Sequence, residues 1–121
     1  MAVAAARAAS SKKASDVVIL EVRDLIVITD YFVIASGTTE RQVRTIADEV
    51  EKVLGEAGIK PIRREGVTEA RWALIDFADI VVHIFTDEDR AYYELERLWK
   101  DAPRVRFSEE EPRRTTGAGS P

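Results

Sequence analysis

Trp72-Ala73-Leu74-Ile75-Asp76-Phe77-Ala78-Asp79-Ile80-Val81-Val82-His83-Ile84-Phe85 is the stretch that decides the fold. Two β-branched and aromatic runs, Trp72 to Phe77 and Ile80 to Phe85, flank a short polar turn, and that pattern predicts a hairpin. Side chains alternate along a strand. Trp72, Leu74 and Asp76 therefore share one face, and Ala73, Ile75 and Phe77 the other. In the second run Asp79, Val81, His83 and Phe85 lie together, opposite Ile80, Val82 and Ile84. One face of such a hairpin must meet helices, while the other is free to stay open.

Upstream, Glu65-Gly66 signals a turn, and Ile59 to Arg64 reads as a short strand with Pro61 suited to a sheet edge. Before it lies the most strongly patterned helix of the chain. Thr39 and Gln42 make a capping box. Apolar residues follow at Val43, Ile46, Ala47, Val50, Val53, Leu54 and Ala57, one helical stripe. Gly58 sits where a left-handed cap belongs. Asp30 to Ala35 and Val17 to Val22 are strands, the latter apolar enough to be covered on both faces. Between them, Leu25 to Ile28 either lengthen a strand or form an exposed hydrophobic edge.

Downstream, Thr86 or Asp87 caps a last helix expected to run to about Trp99, with a buried stripe of Ala91, Tyr92, Leu95, Leu98 and Trp99. Pro103 stops it. Three parts result: an N-terminal helical segment over 1–15, a folded domain over 16–103, and a flexible tail over 104–121 rich in Pro, Gly, Ser and charge. The predicted order is helix, strand, strand, helix, three strands, helix. That is an α/β or α+β fold with helices packed on a sheet.

A chain of 121 residues forms one domain with a real core. Its 45% hydrophobic and 33% charged content is that of a globular chain. The absence of cysteine removes disulfides, thiolate metal sites and Cys nucleophiles, and suits a reducing cytosol. A cytoplasmic location is therefore expected. A net charge of −4 gives no broad basic footprint for nucleic acid. No apolar run approaches the roughly 18 residues of a membrane span. Residues 1–13 are Ala-rich and basic, which fits a short helix or a transit peptide.

Candidate chemistry is sparse. Ser36-Gly37, between a strand and a helix, is either a phosphate cradle or a tight turn. A nucleotidyltransferase would need paired carboxylates after that turn to hold two metal ions. Thr38-Thr39-Glu40-Arg41 stands there instead, and Asp76 and Asp79 complete no metal site by sequence. His83, the single histidine, lacks a nucleophile beside it and reads as a structural or interface residue. Arg63, Arg64 and Arg71 form a small basic cluster that is either an RNA phosphate contact or a solvated edge. Trp72 and Leu74 are either core or a docking patch, since Trp, Tyr and Arg are frequent interface anchors. Residues 87–101 carry six acids against three bases, a net −3, which suits a basic protein partner. No cofactor is expected.

Longer motifs carry a resemblance. Ile28-Thr29-Asp30-Tyr31-Phe32-Val33-Ile34-Ala35-Ser36-Gly37-Thr38, followed by Glu40-Arg41-Gln42-Val43, resembles the first signature of the Iojap-like ribosomal silencing factors. Arg63-Arg64-Glu65-Gly66, Arg71-Trp72, Asp79 to Phe85 and Tyr93-Glu94-Leu95-Glu96-Arg97-Leu98-Trp99 resemble the second. The resemblance covers residues 5–103. It implies a nucleotidyltransferase-like fold without the catalytic acids, hence no enzyme. It implies a translation repressor that binds the large ribosomal subunit through its fourteenth protein and blocks small-subunit joining when nutrients are scarce. Members self-associate as homodimers, and organellar relatives act in large-subunit assembly, the alternative role. Carried onto this chain, the partner-binding residues are Trp72, Leu74, Asp79, Val81, His83, Glu88, Tyr92 and Leu95. Asp24-Leu25-Ile26-Val27 departs from the family as more apolar than the Gly- and Ser-containing loop of many members.

Overall fold

The computed structural model describes residues 1–108. Helix α1 (Ala2–Ser11) begins it, and its buried side chains are Ala2, Ala5, Ala6, Ala8 and Ala9. Alanine at this spacing is both the best helix former and small enough to let another backbone approach closely. Strands β1 (Ser15–Glu21) and β2 (Tyr31–Gly37) follow, then helix α2 (Glu40–Glu56). Strands β3 (Arg63–Glu65), β4 (Trp72–Asp76) and β5 (Ile80–Thr86) complete the sheet. Two short helices, α3 (Asp87–Tyr93) and α4 (Leu95–Leu98), end the described elements.

The sheet runs β1-β2-β5-β4-β3. The β2–β5 pair is parallel, and β1–β2, β5–β4 and β4–β3 are antiparallel. The fold is therefore α+β with a five-stranded mixed sheet. The alternation read from sequence holds. Ala73, Ile75, Val82, Ile84, Val33 and Ala35 belong to one buried cluster with the helical stripe Val43, Ile46, Ala47, Val50 and Leu54. Phe32, Ile34, Val81 and Phe85 belong to a second cluster on the opposite face. The two central strands are covered on both sides, as expected of a parallel pair.

The start of α2 differs from the expected capping box. Thr39 Oγ1 accepts from the Gln42 amide at 3.1 Å. The Gln42 side-chain oxygen, however, reaches one residue further back and accepts from the Thr38 amide at 2.7 Å. Its Nε2 donates to the carbonyls of Lys12 and Lys13 at 3.2 and 3.0 Å. One glutamine thus ties the end of α1 to the start of α2. A side chain at Gly37 would meet Gln42 Oε1 at 3.0 Å, so the strand end must stay bare for this amide to fold back. At the other end of α2, Gly58 takes φ +82, and the Ile59 amide donates to the Leu54 carbonyl at 2.9 Å. That is the left-handed cap expected there.

Strand β3 is shorter than the predicted Ile59–Arg64 and begins at Arg63. Leu25 to Ile28 lengthen neither β1 nor β2; Val27 and Ile28 are 101% and 83% exposed in the connecting loop. Residues 104–108, assigned from sequence to the tail, lie along β1. The Glu21 amide donates to the Pro103 carbonyl and the Val105 amide to the Ile19 carbonyl. The rest of that tail, 109–121, lies outside the described residues.

Candidate docking surface

The second face of the sheet is covered over only part of its width. Leu95, Trp99 and Ala102 pack over Leu20, Phe32 and Ile34, on the β1–β2 side. On the β4–β3 side, Trp72 and Leu74 are half-buried and line a shallow hollow with Glu65 and Gly66. Cross-strand register sets Trp72 against Phe85 and Leu74 against His83. Gly66 makes this closeness workable. It takes φ +72, and a Cβ there would stand 2.2 Å from the Trp72 carbonyl oxygen.

Trp72 is the centre of an aromatic group. Its ring stacks on Phe85 with centroids 4.9 Å apart and meets Tyr93 at 4.7 Å. Its indole N–H donates to His83 Nδ1 at 3.1 Å, as a half-buried indole requires. That bond assigns the imidazole proton to Nε2. Burial pushes the His83 pKa down from 6.5 to about 4, so the ring is neutral at pH 7. Phe32 meets His83 edge-on at 4.9 Å and Trp99 at 5.5 Å. His83 and Val81, named from sequence as contact residues, are thus buried. They support the surface from beneath.

The helix after β5 is not the one expected. Thr86 caps it by accepting from the Asp89 amide at 3.2 Å, and three acids fill its first turn, favourable at a helix start. It stops at Glu94, whose φ of +50 is left-handed, and α4 restarts at Leu95. The expected buried stripe is overturned as a result. Ala91 is exposed, Tyr92 is 78% exposed and Leu98 is 73% exposed, while Leu95 and Trp99 are half-buried. Tyr92 and Tyr93 therefore stand out beside Trp72, with Tyr92 edge-on to Tyr93 at 5.0 Å.

Polar anchors hold these helices, since neither buries a residue of its own. Arg71 grips Asp89 with two bonds, 2.6 and 3.1 Å, and touches Glu88 at 3.3 Å. Arg90, whose side chain is 10% exposed, donates to Glu96 at 2.9 Å, to the Ser15 carbonyl at 3.2 Å and to Ser36 Oγ at 3.1 Å. One guanidinium thereby joins α3, α4, β1 and β2. Sequence reasoning missed Arg90, and nothing local marks it.

The basic cluster read from sequence separates into pairs. Arg63 meets Glu65 at 3.2 Å and Asp76 at 3.8 Å; Arg64 meets Glu51 at 2.7 Å; Arg71 is taken by Asp89. This is the solvated-edge arrangement, with each exposed pair contributing about 0–1 kcal/mol. Asp76 accepts from the Ala78 amide at 2.8 Å and shapes the hairpin turn. Asp79 is exposed, and its carbonyl accepts from the Asp30 and Tyr31 amides. It lies at the far end of β5 from Glu88 and Tyr92, about 20 Å away along the strand. Ser36-Gly37 is occupied by the Arg90 and Gln42 contacts.

Comparison with known proteins places this geometry. The family model described as "Ribosomal silencing factor during starvation" matches residues 1–120. A ribosomal silencing factor from Halalkalibacterium halodurans is 50% identical over 101 residues, 84% of this chain and 86% of the relative. A crystal structure of a protein from Chromobacterium violaceum superposes with a TM-score of 0.78 at 30% identity, covering 98% of this chain and 92% of that one. The mouse protein named mitochondrial assembly of ribosomal large subunit protein 1 is 32% identical over 91 residues, 73% of this chain and 40% of its own length. The match along nearly the whole chain and the shared fold lead to one conclusion: this chain belongs to the ribosomal silencing factor family.

Proposed function

We propose that this protein represses translation by docking on the large ribosomal subunit, through the subunit's fourteenth protein, and blocking small-subunit joining by steric exclusion. It does so in the cytoplasm under nutrient limitation, and catalyses no reaction. The observation that carries the reading is the exposed aromatic shelf of Tyr92 and Tyr93 against half-buried Trp72, on a sheet face left partly open. Exposed aromatics with apolar backing are the residues that anchor protein interfaces. The acidic first turn of α3 gives the shelf a negative rim suited to a basic ribosomal protein. Leu74 extends the apolar floor, and Leu95 fixes the elbow that presents the tyrosines.

The test is co-sedimentation with purified large subunits. Wild type is expected in the pellet, with folded Trp72→Ala and Tyr92→Ala variants left in the supernatant. Equal pelleting of all three would remove the shelf from the interface, and no pelleting of wild type would remove the subunit. The second reading, large-subunit assembly on the same surface, is favoured by the name of the mouse relative. Cells lacking the protein separate the two. A repressor leaves mature ribosomal RNA with more joined subunits, whereas a lost assembly factor leaves precursor RNA.

A further inference from the structure

His83 uses one ring nitrogen and leaves the other without a partner. Nδ1 accepts from the Trp72 indole at 3.1 Å, while the Nε2–H is buried and finds no acceptor among the described residues. The ring is 5% exposed and packs against Phe32, Trp72 and Phe85, with centroids 4.9, 6.0 and 6.3 Å away. A buried donor with no acceptor lowers stability, and an apolar side chain in its place avoids that penalty. Apolar packing therefore gives no reason for a histidine at this position. The bond to Trp72 does.

That bond decides which way the indole lies. The torsion that turns a tryptophan ring about Cβ–Cγ is broad and roughly two-fold, so two opposite orientations compete. Stacking on Phe85 at 4.9 Å is an apolar contact and selects weakly between them. The indole has a single polar atom, its N–H donor, and an acceptor on one side only selects strongly. His83 is that acceptor, and its neutral ring keeps the Nδ1 lone pair at pH 7. The indole so placed meets Tyr93 at 4.7 Å, and Tyr93 meets Tyr92 at 5.0 Å. Contacts thus run in series from a buried imidazole to the most exposed tyrosine of the shelf. We propose that His83 is the positioning residue of the docking surface: it touches no partner itself, and by accepting from Trp72 it fixes the indole and, through it, Tyr93 and Tyr92. The inference rests on the docking function proposed above.

The test is a double-mutant cycle in the full chain, read as binding to purified large subunits. Folded His83→Phe is expected to bind at least about tenfold more weakly than wild type. His83→Gln, whose amide oxygen can accept from the indole, is expected to stay within about threefold of wild type. Trp72→Phe keeps a ring on Phe85 and has no donor to hold, so adding His83→Phe to it should change affinity by less than about twofold. The indole N–H resonance of Trp72, assigned by its loss in Trp72→Phe, reports the same bond without a ribosome. It should shift and exchange faster with solvent in His83→Phe and hold its place in His83→Gln. His83→Leu serves if the Phe variant does not fold, and the contrast between the Gln and Phe variants decides alone if Trp72→Phe does not bind. Undiminished affinity in His83→Phe overturns the proposal. So does an equal loss in both His83 variants, or an equal loss with and without the indole, which would make His83 a direct contact or a general stabiliser. If wild type fails to bind subunits, the docking reading falls and this inference falls with it; if wild type binds and the losses add, this inference alone falls.

Discussion

The two faces of the sheet are built from the same strands and finished in opposite ways. On one, the alanine face of α1 and the apolar stripe of α2 close over Ile75, Val82 and Ile84 with no accessible gap. On the other, α3 and α4 fully bury no residue and are held by Arg71, Arg90, the Tyr93 ring against Trp72 and Phe85, and the half-buried Leu95. The first face gains its stability from area removed from water, about 1.5–3 kcal/mol for each fully buried aliphatic. The second leaves that gain unused at Tyr92, Tyr93 and Leu98. Stability and recognition are thus divided between the faces of one sheet.

Ile84→Ala strikes the closed face hardest. It should cost about 2–5 kcal/mol by chemical denaturation, and a loss under 1 would mean that this core is looser than its burial implies. His83 gives the next effect, on the half-open face. The unfolded chain takes a proton near pH 6.5 and the folded one near 4, so the native state binds fewer protons between these values. Stability is therefore full above pH 6.5 and falls as the pH drops toward 4, by about 3 kcal/mol. His83→Gln, whose amide oxygen can still accept from Trp72, should remove this acid limb. An identical pH profile in the variant would place the sensitivity elsewhere.

Smaller still, Arg90→Met should cost about 1–2 kcal/mol, since the pair with Glu96 is only partly shielded. Large-subunit binding should fall further than stability does, because the elbow that positions the tyrosines loses its anchor. Proportionate losses would make Arg90 a plain stabiliser. At the bottom of the scale, Tyr92→Ala should change stability by less than about 0.5 kcal/mol while weakening binding at least about tenfold. A large stability loss there would erase the contrast between the faces.

Periodicity explains what could be read beforehand. The faces of β4 and β5 and the stripe of α2 follow from alternation and from 3.6-residue spacing, and Gly58 marks its own conformation. The elbow at Glu94 leaves no such trace. Tyr93-Glu94-Leu95-Glu96-Arg97-Leu98 is helical by propensity, and glutamate has no preference for a left-handed φ. Tertiary contacts impose the break: Arg90 and Glu96 meet while Leu95 and Trp99 turn onto Phe32 and its neighbours. The Arg90 site is equally silent, because its partners Ser36 and Ser15 lie 54 and 75 positions away. The arginine cluster, open in sequence between an RNA contact and a solvated edge, has partners its neighbourhood does not show: Asp76 across the ladder for Arg63, Glu51 on α2 for Arg64 and Asp89 on α3 for Arg71.

Strand order carries a kinetic consequence. The central strand of the sheet, β5, is the last of the described strands to be made. Its parallel partner begins at Tyr31, which pairs with Ile80, so joining them closes a long loop before any reward from the ladder. Until residue 86 has emerged, β2 has a bare edge and β4 can pair only with three-residue β3. Non-local pairing of this kind sets a slow folding step and leaves apolar strands exposed meanwhile. A protein whose family acts on ribosomes thus spends most of its own synthesis with its sheet in two unjoined pieces.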